Sequence, residues 1–185
     1  MPETDFSQIK LLVLDVDGVL TDGRIILTPD GQEIKAFDCK DGAGLKYWMR
    51  AGGQVAIITG RGSSAVQIRA DELDIKTVRM HAKQKLPVYR EVLAELGFAA
   101  SETAVMGDDL TDLPLLRECG FSAAPSDAVG DVRQAVDYIT TLPAGRGCVR
   151  EVVDLLLKKS GRWERIMSRY LPQSDSAAPT EGRKK

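Results

Sequence analysis

Lys10-Leu11-Leu12-Val13-Leu14-Asp15-Val16-Asp17-Gly18 decides the fold. Residues 11–14 form an unbroken apolar run, whereas a strand with one face in water alternates apolar and polar residues. The run therefore reads as a central strand of a parallel sheet, buried on both faces and stopping at two carboxylates. After it come Arg24-Ile25-Ile26-Leu27 and Glu33-Ile34-Lys35-Ala36-Phe37. Thr28-Pro29-Asp30-Gly31-Gln32 supplies turn geometry between them, which predicts a hairpin projecting from the end of the first strand. Asp41-Gly42 then opens a helical stretch through Leu45, Trp48 and Met49, which stops at Gly52-Gly53 before a strand Val55-Ala56-Ile57-Ile58. From there helices at 63–73, 84–96 and 110–118 alternate with strands at 77–78, 104–106 and 121–123. A last helix is expected at 146–158. That order predicts an α/β fold with a doubly wound, Rossmann-like parallel sheet.

The boundaries read as one domain over 9–158, an extension over 159–172 that Trp163-Glu164-Arg165-Ile166-Met167 could make helical, and a disordered polar tail over 173–185 with almost nothing to bury. A chain of 185 residues with 43% hydrophobic and 28% charged residues is the size and composition of one soluble globular domain. Its net charge of -2 lacks the basic signature of nucleic-acid binding. No apolar run is long enough to span a membrane and the acidic start is unlike a signal peptide, so a cytoplasmic protein is expected. Cys39, Cys119 and Cys148 show no Cys-x-x-Cys spacing and read as reduced bystanders, and the sole histidine, His81, as an ordinary loop residue.

In an open parallel sheet ligands gather beyond the carboxyl ends of the strands. The first strand ends in Asp15 and Asp17, the second in Thr59-Gly60-Arg61, and the fourth in Gly107-Asp108-Asp109; Lys85 opens the helix after the third. Two carboxylates so close repel unless a cation neutralises them. Magnesium favours hard oxygen donors and is commonly held by one or two carboxylates plus a substrate phosphate, with Asp108 supplying the second carboxylate. Lys85 and the Thr59 hydroxyl can neutralise the oxygens of a transferring phosphoryl group. A carboxylate nucleophile at Asp15 would split hydrolysis into two easier steps, with Asp17 as the proton carrier. Taken alone, Asp-x-Asp is more often a turn pair, Thr59 a strand-end cap and Lys85 a solvated residue. Asp109 and Asp112 read as helix caps or as groups that orient the metal ligands.

Asp15-Val16-Asp17-Gly18-Val19-Leu20-Thr21-Asp22, Thr59-Gly60-Arg61, Lys85 and Gly107-Asp108-Asp109-Leu110-Thr111-Asp112 together resemble the four motifs of the haloacid dehalogenase superfamily of phosphohydrolases. The resemblance implies that Asp15 is the nucleophile, that Asp17 is the acid and base whose backbone carbonyl also binds Mg2+, and that Asp108 is a further metal ligand. It also implies catalytic roles for Thr59 and Lys85. The intervals between motifs have no room for a cap module, so a capless member is expected, with a neighbouring subunit covering the site. Phe37-Asp38-Cys39-Lys40-Asp41-Gly42, Arg69 and Gly145-Arg146-Gly147-Cys148-Val149-Arg150-Glu151 carry a finer resemblance to 3-deoxy-D-manno-octulosonate 8-phosphate phosphatases. That family is capless and tetrameric, is built through the hairpin, and acts on a lipopolysaccharide precursor. By position, a small sugar acid phosphate would meet Asp17, Asp38, Cys39, Lys40, Asp41, Gly42, Lys46, Arg61, Arg69, Lys85 and Thr111. Asp38 and Met80-His81 depart from the family pattern, and nine-carbon sialic-type 9-phosphates stay open as substrates. A non-catalytic module of the same fold and a phosphomutase are the alternatives from other classes. The intact motif residues argue against the first, and the missing cap against the second.

Overall fold

The computed structural model describes residues 4–171; the tail expected over 173–185 lies outside them. Eight strands and seven helices follow in chain order among the described residues. They are β1 (Leu11–Leu14), β2 (Ile26–Leu27), β3 (Glu33–Ile34), α1 (Cys39–Arg50), β4 (Gln54–Ile58), α2 (Ser64–Leu73), β5 (Thr77–Arg79) and α3 (Lys85–Leu96). Beyond these lie β6 (Thr103–Met106), α4 (Leu113–Leu116), β7 (Phe121–Ala124), α5 (Gly130–Ala135), β8 (Tyr138–Ile139), α6 (Cys148–Lys159) and α7 (Trp163–Met167). Six strands make one parallel sheet in the order β5-β4-β1-β6-β7-β8, so β1 is central as its unbroken apolar run requires.

Alternate residues of β1 feed opposite faces of the sheet. Leu12 and Leu14 join Leu45 and Trp48 of α1, Val66 of α2 and Val152, Val153 and Leu156 of α6. Leu11 and Val13 join Tyr89 and Val92 of α3, Leu115 and Leu116 of α4 and Val132 of α5. Each large apolar side chain buried in this way contributes about 1.5–3 kcal/mol. The two polar tips among these aromatics are satisfied: Trp48 Nε1 donates to Gln54 O at 2.8 Å, and Tyr89 Oη lies 2.6 Å from Thr103 Oγ1. The doubly wound sheet read from the sequence is therefore the one observed.

Local differences from the sequence reading have local causes. The hairpin is present, but each strand is only two residues long because its apolar side chains find nothing to pack on: Ile25, Ile26, Leu27 and Ile34 are all exposed. Helix α1 begins at Cys39 rather than Asp41, because the Asp38 carboxylate caps it by accepting the Lys40 N–H at 2.6 Å. The stretch read as one helix over 110–118 divides into a 3-10 turn Leu110–Asp112 and the short α4, with Pro114 in the first turn of the latter. The hydrophobic pattern does not announce β8, a two-residue edge strand. His81 is exposed and adopts left-handed backbone (φ 59°) in the loop before α3.

Candidate active site

The chain leaves β1 toward β4 and β5 on one side and returns to β6 on the other, so the strand order reverses at β1. The carboxyl ends beside that reversal carry Asp15, Thr59 and Asp108, and Lys85 arrives at the N-terminus of α3. These four residues line one cleft of about 380 Å³ together with Asp17, Arg61 and Thr111, a size suited to a small phosphate ester. Gly18 lets the first loop approach the third. It has φ 85°, and a Cβ there would stand 2.0 Å from Asp108 Oδ2.

Lys85 is the hub of the floor of this cleft. Its side chain is 4% exposed, and Nζ lies 2.7 Å from Asp112 Oδ1 and 3.0 Å from Asp15 Oδ2. Burial alone would lower its pKa, but Asp112 and Asp15 beside it win and raise it, so it stays a cation. Asp112 spends its other oxygen on the loop, accepting the N–H groups of Asp108 and Asp109 at 3.2 and 3.3 Å. Read from sequence as a cap or orienting group, Asp112 is thus buried between the lysine and the Asp108 loop. Thr59 is buried at the cleft wall, where Oγ1 accepts the Arg61 N–H at 3.4 Å.

Asp15, Asp108 and Asp112 each bring one carboxylate oxygen within 4.8 Å of the others. Burial and the charge of Asp112 push Asp15 up to about 6, with Lys85 pulling back. Burial, then Asp112 and Asp15, push Asp108 up to about 7. Asp15 Oδ1 and Asp108 Oδ1 are buried with no hydrogen-bond partner. Orphaned, crowded carboxylate oxygens are what a hard divalent cation satisfies, so the donor set fits one.

Asp17 is oriented differently. Its Oδ1 takes Lys35 Nζ and lies 3.4 Å from Thr21 Oγ1, while Oδ2 is buried without a hydrogen-bond partner and Arg61 Nε stands 3.7 Å from it. Glu33 Oε1 accepts from both cations, Lys35 Nζ and Arg61 Nη2, each at 3.2 Å. Burial raises the Glu33 carboxyl, but the two cations outweigh it and hold it below its usual range. Neither hairpin residue was a site candidate in the sequence. The signal was present in Glu33-Ile34-Lys35, where alternation in a strand puts both charges on one face.

The other residues carried over as substrate contacts do not line this cleft. Cys39, Gly42, Lys46 and Arg69 border a second depression between α1 and α2, with no lining residue in common with the first. Arg69 donates to Asp38 O at 3.4 Å, pairs with Glu72 at 2.8 Å and lies over the Phe37 ring, 5.8 Å from its centroid. Gly42 makes room for that guanidinium, since a Cβ would meet Nη2 at 2.3 Å. Lys46 pairs with Asp74 at 2.5 Å, and Cys39 and Lys40 are exposed. Asp38 caps α1, and Asp41 turns away from both clefts. It is buried, accepts the N–H groups of Gly147 and Arg150 at 3.2 and 2.7 Å, and so caps α6.

The fold and the cluster at the strand ends define a haloacid dehalogenase-like hydrolase, the description of the family that matches residues 79–151. The chain is 41% identical over 159 residues to the 3-deoxy-D-manno-octulosonate 8-phosphate phosphatase of Salmonella typhi, covering 86% of this chain and 85% of that one. Among solved structures, the Moraxella catarrhalis phosphatase of the same name, in complex with magnesium ion, phosphate ion and a KDO molecule, superimposes with a TM-score of 0.88. It shares 40% identity over 90% of this chain and 96% of its own. The cobalt-bound Haemophilus influenzae phosphatase matches with a TM-score of 0.82 and 38% identity over 85% and 92% of the two chains. The chain belongs to the 3-deoxy-D-manno-octulosonate 8-phosphate phosphatase family.

Proposed function

We propose that this chain is a magnesium-dependent phosphatase that hydrolyses 3-deoxy-D-manno-octulosonate 8-phosphate to the free sugar acid and phosphate. The observation that carries the proposal is Asp15: Lys85 holds one of its oxygens, and the other is buried and unpartnered among carboxylates in the cleft. Its relatives bear that activity in their names. Asp15 attacks the phosphorus and forms an aspartyl-phosphate, and the departing sugar alkoxide takes a proton from Asp17. Asp17 then accepts a proton from the water that cleaves the aspartyl-phosphate. Lys85 and the Thr59 hydroxyl neutralise the phosphoryl oxygens during both transfers. The carboxylates of Asp15 and Asp108 and the backbone carbonyl of Asp17 would hold Mg2+, which when bound supplies further neutralisation of the phosphoryl charge.

Arg61, Lys85 and Thr111 would meet the substrate in the cleft. Arg69, Lys46 and the 38–42 segment sit apart from them, which favours completion of the sugar acid site by a second copy of the chain. The exposed Ile25, Ile26, Leu27 and Ile34 on one hairpin support a homotetramer assembled there. Residues 9–158 form the catalytic domain in this reading, and α7 belongs to an extension of it. Among the described residues no helix is long and apolar enough to cross a membrane, in keeping with a cytoplasmic enzyme. Phosphate release from the eight-carbon 8-phosphate and a nine-carbon sugar acid 9-phosphate should be compared with Mg2+ present. Faster turnover of the eight-carbon ester is expected, and faster turnover of the nine-carbon one would replace the substrate.

A further inference from the structure

We propose that Lys35 of the hairpin is a positioning residue for the phosphatase reaction: by gripping Oδ1 of Asp17 it aims Oδ2 at the reacting group. The proposal rests on the reading of Asp17 as proton carrier. A carboxylate has two chemically equivalent oxygens, and proton delivery to a leaving alkoxide needs one of them held at the right place and angle. Here the equivalence is broken. Oδ1 is occupied by Lys35 Nζ with the Thr21 hydroxyl nearby, while Oδ2, in a residue lining the cleft, has no hydrogen-bond partner and only the Arg61 Nε cation 3.7 Å away.

The Lys35 side chain is 1% exposed although the hairpin around it lies at the surface. An ammonium group removed from water in this way needs full compensation. Glu33 provides it, accepting from Lys35 and Arg61 at once. Two cations and two carboxylates thus close a neutral ring over one side of the cleft. A hairpin whose strands are two residues long has little internal stability. A buried ion pair reaching from it to Asp17 is therefore its specific tie to the reaction centre.

The test compares two phosphate monoesters of different leaving-group basicity in the assembled protein with saturating Mg2+. With p-nitrophenyl phosphate the leaving group departs without a proton; with the sugar acid 8-phosphate, an alkyl ester, it does not. Lys35→Met should lower kcat/KM on the alkyl ester, which reports steps only through leaving-group departure, about 100-fold, the low end of what general acid catalysis contributes. On p-nitrophenyl phosphate kcat/KM should stay within about threefold while kcat falls, because the water step that Asp17 serves is common to both esters, and Lys35→Arg should recover most of the loss. Equal losses of kcat/KM on the two esters, or no loss on either, would overturn the proposal. Should Lys35→Met fail to assemble, Glu33→Gln takes its place, with the same selectivity expected at about tenfold and the same overturning results. Asp17→Asn separates the two readings. If it too shows no leaving-group selectivity in kcat/KM, the role of Asp17 is wrong; if it shows selectivity and Lys35→Met does not, only the positioning role is.

Discussion

The cleft at the strand ends and the depression beside α1 are held by different kinds of structure. In the cleft, Asp15, Thr59 and Asp108 follow strands in parallel register, Lys85 and Asp112 are buried, and each reactive side chain is fixed by main-chain topology. Around the depression, Lys46 and Arg69 project from helix surfaces and pair with exposed acids, Asp74 and Glu72. Every residue lining the first belongs to a single chain. The second offers charge without enclosure.

The largest effect that would sharpen this contrast is at the nucleophile. Asp15→Asn should reduce Mg2+-dependent phosphate release by at least about 10⁴-fold on every ester, with the protein still folded and assembled. Retention of full activity would remove the cleft from the chemistry altogether. Arg69→Ala should act on a different quantity. KM for the sugar acid phosphate should rise about tenfold, equivalent to about 1.4 kcal/mol, while kcat and the reaction with p-nitrophenyl phosphate stay within about twofold. A fall in kcat on both esters would break the division of labour.

The smallest effect concerns pH. Asp15 and Asp108 are raised, to about 6 and about 7, above an ordinary carboxyl value of about 4. The metal-free fold therefore favours their protonated forms. Their contribution to stability is fully present below about pH 4 and is lost as pH climbs through 6 and 7. Tm of the metal-free protein should drop by several degrees between pH 5 and 8, and saturating Mg2+ should cancel the drop. A profile that is flat without metal and unmoved by it would show that the carboxylates are not crowded as described.

What the sequence made legible follows the same division. The apolar run 11–14 declared a doubly buried strand, and three polar motifs directly after apolar strands, with Lys85 at a helix start, converged on one place because sheet topology requires it. Asp41 and Gly42 shared the family pattern with true surface groups. Only the packing reveals that one caps α6 and the other clears space for Arg69. Lys35 was hidden for another reason: its partner, Asp17, lies 18 residues away across a hairpin whose path the local pattern does not specify. The split of 110–118 turned on Asp112, whose pull toward Lys85 and the Asp108 loop outweighs regular helix geometry.

The three cysteines are far from equal as chemical handles. Burial pushes the thiols of Cys119 and Cys148 up to about 12, leaving almost no thiolate at neutral pH, whereas Cys39 is exposed at the rim of the Arg69 depression. A maleimide dye added to the native protein would thus mark one address without any engineered substitution. Protection of that address by ligand would turn occupancy of the depression into an optical signal.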